Sequence, residues 1–335
     1  MRRKSIGFTL SAMLYALSLV GAMLFALCWS AEAQQPGKVP RIGLLMSSST
    51  AETAPFIDAL RQGLRELGYV EGKNIVLEIR GGGAKPDRLS DLAADLVRLK
   101  VGIIVTGGST ATRAAKEVTS TIPIVMRTGG DPVKSGIVSS LAHPGGNITG
   151  VASINLGLIG KRLELLLEVV PGVTHITVLA AQSDRVGFMA TDEYKEMEAA
   201  ARALGVKLQI LWARDASAID NAFLAMSKGR AEALIVIPNP RYFQNRKRII
   251  KHAAKNRLPS IYPHSIYAEN GGLISYGVDF VDENRRLAIY VDKILKGSKP
   301  ADLPIQQPTK FEFIINLKTA KQIGLAIPPN VLARA

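Results

Sequence analysis

From Val39 onward the chain alternates short apolar runs with amphipathic stretches of helical period. That alternation restricts it to a parallel α/β architecture, in which each strand is followed by a helix that returns over the sheet. "RIGLLMSSST" reads as a strand ending in a polar loop, and "TAPFIDALRQGLRELGY" as a helix stopped by glycine. "NIVLEIR" with "KPDRLSDLAADLVRLK", and "VGIIVTGGST" with "ATRAAKEVTS", repeat the unit, and "IPIVMRTGG" supplies a fourth strand. These elements predict one doubly wound lobe.

A second series opens with the helix "GLIGKRLELLLEVVPG", the strand "THITVLAAQSD" and the helix "YKEMEAAARALG". "KLQILWARD", "AIDNAFLAMSKG", "EALIVIPNP", "RYFQNRKRIIKHAAKN" and "LPSIYPHS" continue the alternation. The tail adds a helix in "YGVDFVDENRRLAIYVDKILKG", then a strand and a helix in "KFEFIINLKTAKQIGL". The expectation is an α/β protein of two doubly wound Rossmann-like lobes. A length of 335 residues with 47% apolar content suits two such lobes and excludes disorder. With no tandem repeat or low-complexity linker, several short crossings are expected between them.

The segment "MRTGGDPVKSGIVSSLAHPGGNITGVAS" lies between the two series. Thr128 to Asp131 reads as a loop at a strand end, and "VKSGIVSSLAHPG" as a short helix ended by Pro144-Gly145-Gly146. His143 would be the cation of its last turn. "NITGVAS" reads as the first crossing between lobes.

At the N-terminus Arg2, Arg3 and Lys4 precede an uncharged run from Ser5 to Ser30, which ends in Ala31-Glu32-Ala33. This is a signal-peptide pattern, with cleavage after Ala33 and export to the periplasm expected. An uncleaved membrane anchor is the alternative. Lipidation at Cys28 is disfavoured because Leu27 precedes it where a small residue is needed. Cys28 is also the only cysteine, so cleavage would leave no thiol or disulfide.

The formal net charge of +14 raises the question of nucleic acid. The bases are spread over many helices, and the densest run, Arg241 to Lys255, places Ile249, Ile250 and Ala253 on one side. That run reads as a solvated helix face, and no nucleic-acid partner is expected.

The chain offers little for catalysis. It has no G-x-S-x-G elbow, and His143, His175, His252 and His264 lack metal-binding spacing. "VTGGSTATR" lacks the ending of a nucleotide loop, although a helix opening there could hold a carboxylate or other small anion at Thr106–Ser109. "GGGAK" at Gly81–Lys85 needs only to be a turn. What remains are polar loops at the expected C-terminal ends of strands, where open α/β sheets bind ligands. They are Met46–Ser49, Thr106–Ser109, Thr128–Asp131, Gln182–Asp184, Asn239, Tyr262–His264 and Gly277–Asp279. Their Ser, Thr, Asn, Gln and Gly residues suit hydrogen bonding to a small polar molecule. No enzyme, cofactor or metal is expected.

Several stretches carry a resemblance. They are "FIDALRQGLRELGYVEGKNI", "IPIVMRTGGDPVKSGIVSSLAHPGGNITGVAS", "KRLELLLEVVPGVTHITVL", "SYGVDFVDENRRLAIYVDKILKGSKPADLPIQQP" and "FIINLKTAKQIGLAIPPNVLARA". In these the chain closely resembles the exported substrate-binding proteins of ABC transporters, in the family that includes the tryptophan-type binding proteins. The resemblance implies a periplasmic-binding-protein type I fold with three crossings. Lobe 1 would comprise 39–150 plus 278–303, and lobe 2 would comprise 151–277 plus 304–335. It further implies a monomer that clamps a small polar solute, an amino acid or related compound, and delivers it to a membrane permease coupled to a cytoplasmic ATPase. Presentation of the ligand to a membrane sensor kinase is the alternative.

By position the resemblance points to Ser47 and Ser48, to Thr106 and Ser109, and to Thr128 and Asp131 in the first lobe. In the second lobe it points to Gln182, Ser183, Asn239 and Tyr262, with Asp279 at the family's Gly-x-Asp turn. Gly107 and Gly108 stand where the family often has bulkier residues, which leaves more room or better access to backbone N–H groups. Two roles stay open for Asp131: pairing with a ligand ammonium, or bracing the turn at Pro132. Tyr262 and Tyr242 could stack on a flat ligand or line the lobe, and Asp279 could cap the helix that follows it.

Overall fold

The first sheet is built from strands that are apolar on both faces, as expected where helices cover both sides. The computed structural model describes residues 39–335 apart from 52, 84, 86, 154–157, 182–187 and 190. The expected signal peptide and the expected site residues Gln182 and Ser183 therefore lie outside the described residues. Strands β1 (Arg41–Met46), β2 (Val76–Gly81), β3 (Ile103–Gly107), β4 (Ile124–Thr128) and β5 (Ile148–Ala152) pair in parallel in the order β2-β1-β3-β4-β5. Helices α1 (Ala54–Glu66), α2 (Asp87–Arg98) and α3 (Ser109–Val118) connect the first four.

Alternation along the strands divides the core of this lobe in two. Ile42, Leu44, Met46, Val105 and Val125 point to one face, where they meet Phe56, Ile57, Leu60 and Leu64 of α1. Leu45, Ile104, Ile124 and Met126 point to the other, against Leu89, Ala93 and Leu96 of α2 and Ala111 and Ala115 of α3. Each such fully buried aliphatic or aromatic side chain stabilises the fold by roughly 1.5–3 kcal/mol relative to exposure.

The second sheet has β6 (His175–Ala180), β7 (Lys207–Trp212), β8 (Ala233–Val236), β9 (Ser260–Tyr262), β10 (Ile274–Val278) and β11 (Phe311–Ile315) in the order β11-β10-β9-β8-β6-β7. All pairings are parallel except that of β11 with β10. Its helices are α4 (Ile159–Val169), α5 (Asp192–Ala203), α6 (Ala216–Lys228), α7 (Pro240–Gln244), α8 (Arg246–Lys255) and α9 (Ser265–Glu269). Side-chain oxygens of Thr191, Asp215 and Asn239 start α5, α6 and α7 by accepting backbone N–H bonds.

Helix α10 (Phe280–Leu295) returns to the first lobe, where Leu287, Ala288 and Val291 join the core shared with α1. After β11 the chain ends in α11 (Leu317–Ile323) and α12 (Pro329–Leu332) on the second lobe. The chain thus crosses after β5, at Asp279 between β10 and α10, and before β11. Gln306 still pairs with the first sheet, exchanging backbone bonds with Gly150 and Ala152.

Three local expectations are corrected. "NITGVAS" forms the fifth strand of the first sheet, paired with β4, and the crossing begins at Ser153. The limits expected at 150/151 and 277/278 fall inside β5 and before the last residue of β10. Residues 132–143 form turns and no helix, because one turn closes on itself: Ile137 and Val138 both donate their N–H to the Pro132 carbonyl. His143 is consequently not a helix-terminal cation. The long basic helix divides at Asn245, whose Nδ2 donates to the Arg241 carbonyl. Ile249, Ile250 and Ala253 are its buried face, as the spacing indicated.

Candidate functional site

A cavity of about 270 Å³ opens at the C-terminal edges of both sheets. In the first lobe, register decides which residues reach it. Met46, Gly107 and Arg127 are aligned across β1, β3 and β4, and all three line the cavity. Ser47, Ser48, Thr53 and Phe56 line it from the loop after β1 and the start of α1, and Gly108, Ser109, Thr110, Gly129 and Gly130 from the turns after β3 and β4. The second lobe contributes Pro238, Asn239, Pro240 and Phe243 after β8, and His264 after β9.

One side of the cavity is an open helix start. Gly108 sits at the N-cap of α3 with φ 108°, in the left-handed half of conformational space, and supplies no side chain to cap the helix. A Cβ there would lie 2.8 Å from Ser47 Oγ. Ser47 is buried, and its hydroxyl has no hydrogen-bond partner among the described residues. The first N–H groups of a helix lack intrahelical acceptors and carry partial positive charge, so this end of α3 can receive an anion. Ser109 Oγ stands at the same turn, held 2.5 Å from Thr128 Oγ1.

A cation flanks that turn. The Arg127 guanidinium donates to Glu283 Oε2 at 3.1 Å and lies 5.3 Å from the centre of the Phe56 ring. Glu283, on the first turn of α10, also accepts a hydrogen bond from Ser153 Oγ, where the first crossing begins. His264 is held neutral: burial, then the charges of Arg127 and Arg162, push its pKa down to about 3. Arg162 is itself fully buried on α4, where its Nε donates to the Tyr276 carbonyl, and burial lowers its pKa to about 9. Met46, Phe56, Pro238, Pro240 and Phe243 make the remaining wall apolar.

Of the residues expected from sequence, Ser47, Ser48, Ser109 and Asn239 line this cavity. Asn239 Oδ1 is engaged by the Arg241 N–H. Thr128 stands just behind, positioning Ser109 and reaching Gly130. Four others lie off the lining. Thr106 is one residue short of the strand end and points to the opposite face, 2.7 Å from Thr112 Oγ1. Asp131 braces its own turn, accepting from the N–H groups of Val133 and Lys134. Tyr262 is fully buried, stacked on Tyr267 with ring centres 4.9 Å apart, and Tyr242 lies in the same core. Asp279 caps α10 through the Asp282 N–H.

Residues that the sequence reading passed over include Phe56, Arg127 and Phe243, while His264 was covered by the expected Tyr262–His264 loop. A signal for Arg127 was available, since a charged residue inside the apolar run "IPIVMR" requires a local reason. Among the described residues no group of three or more His, Cys, Asp or Glu could hold a metal ion, and no helix is long and apolar enough to cross a membrane.

Two α/β lobes, three crossings and a cleft at the carboxyl edges of both sheets define the class of type I periplasmic binding proteins. Within that class, residues 47–335 match the family model of ABC transporter substrate binding proteins, and the chain belongs to that family. A curated relative, the "Tyrosine-binding protein" of Clostridioides difficile (strain R20291), is 25% identical over 275 residues, covering 81% of this chain and 78% of the relative. The crystal structure of a conserved domain protein from Vibrio cholerae superposes with a TM-score of 0.80 at 25% identity, over 89% of this chain and 99% of that one. The structure of an ABC domain in complex with L-Trp from Streptococcus pneumoniae gives 0.79 at 23% identity, again over 89% and 99%.

Proposed function

We propose that this protein is the solute receptor of an ABC importer. It closes over a small solute that carries a carboxylate and a flat apolar body, in the class of amino acids and related compounds. It then presents the closed form to a membrane permease coupled to a cytoplasmic ATPase. The observation that carries this reading is the open start of α3, with the buried Ser47 hydroxyl beside it, facing the same cavity as Phe56 and Phe243. A carboxylate there gains the N–H groups, the helix dipole and the Ser47 and Ser109 hydroxyls, while the rings cover the rest of the molecule. The curated relative, named for tyrosine binding, supports the same class.

Closure follows because the two lobes supply different parts of the contact set. A ligand that bridges Ser109 and Phe243 binds the closed form better than the open one, and only that difference can move the equilibrium. Calorimetric titration of the purified protein with L-tyrosine, L-tryptophan and related aromatic carboxylic acids tests the reading. Binding by at least one is expected, with Ser47→Ala weakening it roughly 10- to 100-fold, the range of a single hydrogen bond to a charged group. Absence of heat, together with an unchanged melting midpoint across the set, would remove the receptor role.

A further inference from the structure

Helix α11 places apolar and basic side chains next to one another at the surface of the second lobe. Thr319 and Ala320 turn inward, while Leu317, Lys318, Lys321 and Gln322 are exposed. Leu317 is 57% exposed, and Leu332 of α12 is 38% exposed. One exposed leucine carries no information, but these two line the same groove of about 380 Å³, together with Leu325 and Ile327. A second groove, of about 510 Å³, lies on the other side of α11, toward α8, and is lined by Lys247, Lys251 and Lys318.

These lysines are uncommitted. Among the described residues, the side chains of Lys247, Lys251, Lys318 and Lys321 have no ion-pair or hydrogen-bond partner. Nearby arginines differ: Arg248 of α8 pairs with Asp220, and Arg334 beyond α12 pairs with Glu168. Glu269 is the one acidic residue in the described lining of the two grooves, against the four lysines. The surface is therefore apolar along one side of α11 and strongly positive along the other. Its apolar end also lies away from the cleft. β11 runs antiparallel to β10, so Ile315, just before α11, sits beside Ile274 at the start of β10.

We infer that this face of the second lobe rests on a bilayer surface bearing anionic headgroups. The leucines enter the headgroup boundary and the lysines meet lipid phosphates around them. The inference is independent of the receptor reading and adds a second contact to the protein. Composition favours lipid over a protein partner. Protein interfaces are poor in Lys and rich in Tyr, Trp and Arg, whereas lipid-facing surfaces combine Lys with Leu. The described lining of both grooves holds no aromatic residue and no arginine. Long lysine stems also suit a fluid layer of phosphates, which offers no fixed geometry for a planar guanidinium to match. Contact through Leu317 leaves the cavity uncovered, because that cavity opens at the opposite edge of the sheet.

The test is co-sedimentation with vesicles. The protein used begins at Gln34, since residues 40–335 form one compact unit that contains the described apolar cores. Vesicles of equal parts phosphatidylglycerol and phosphatidylcholine are expected to take it up at low salt. Pure phosphatidylcholine vesicles should bind it at least about 10-fold more weakly, and molar salt should release it. Each lysine near such a surface contributes roughly 5-fold in affinity, so Lys247→Glu/Lys318→Glu should weaken uptake at least about 25-fold. Leu317→Ser/Leu332→Ser should weaken it about 10-fold. Lys73→Glu/Lys100→Glu makes the same change of net charge at exposed positions of the first lobe and should leave uptake within about 2-fold. Equal losses in the two lysine variants, each shown to be folded by its melting transition, overturn the inference, because attraction would then follow net charge and not this face. Absence of uptake by the protein-free anionic vesicles overturns it as well. Uptake by membranes of the producing cells in that case would assign the face to a membrane protein. Both results leave the titration with aromatic acids, and with it the receptor reading, untouched.

Discussion

Glu283 joins three parts of the chain that are far apart in sequence: the cleft through Arg127, the first crossing through Ser153, and the second crossing through its place at the start of α10. Its replacement therefore tests whether the site and the crossings are mechanically one structure. The Arg127–Glu283 pair is 3.1 Å long, with side-chain exposures of 20% and 1%. Two unit charges at that separation attract by roughly 5 kcal/mol at an effective dielectric of about 20. Desolvation of the nearly enclosed carboxylate offsets much of this attraction in the intact protein. It gives no relief when one partner is removed, and breaking a buried pair costs about 3–5 kcal/mol. Arg127 keeps some water, so the lower end applies to Glu283→Gln, about 3 kcal/mol.

For a chain of this size that corresponds to a fall in Tm of roughly 4–5 °C. Arg127→Gln should cost at least as much, because it leaves the more deeply buried charge unpaired. The double variant should recover part of the loss, with a coupling of roughly 2–3 kcal/mol between the two positions. Differential scanning calorimetry of the four proteins, supported by urea unfolding, measures the cycle. Single-variant losses that simply add in the double variant would refute the argument, since they would show that the two charges do not feel one another.

Two further outcomes follow from local geometry. Gly150 in β5 has φ 136°, and a Cβ there would collide with the Met126 carbonyl oxygen, so Gly150→Ala should cost on the order of 3 kcal/mol or more and yield little folded protein. A yield and Tm equal to the parent would show that the β4–β5 pairing tolerates the shift. On the second lobe, hydrogen bonds from Arg248 and then His252 hold the Asp220 carboxyl below its usual range. A depressed carboxylate contributes stability above its unfolded pKa, near about 4, and loses it as pH falls through the folded value. Asp220→Asn should therefore flatten the acid side of a Tm-against-pH curve, and an unaltered acid slope would assign that loss to other carboxylates.

The strands and most helices were legible because their period is written in side chains. Ile42, Leu44 and Met46 alternate with Leu45, and Ile249, Ile250 and Ala253 recur on one helix face. Where the reading failed, backbone geometry overrode composition. Residues 132–143 have helical composition, yet the Pro132 carbonyl takes two N–H bonds that close a single turn. "NITGVAS" resembles a linker, yet the glycine in it allows a strand to run beside Met126.

The site was half legible for a related reason. Ranking residues by side-chain chemistry favours Thr106 over Gly107 and Thr128 over Arg127, and in each pair the register sends the second residue into the cavity. A shift of one position along a strand reverses which face a residue serves, and no polar-loop reading resolves a single position. The apolar half was hidden differently. Phe56 sits in the first turn of α1 and Phe243 in the short α7, where an aromatic residue in an apolar run reads as core, and the two lobes must be set face to face before the rings line one space. The candidate anion-binding element was legible as a place, a helix opening after a strand at Thr106–Ser109, although it consists of N–H groups that every residue has. The glycine at the N-cap leaves the start of α3 without a side chain of its own.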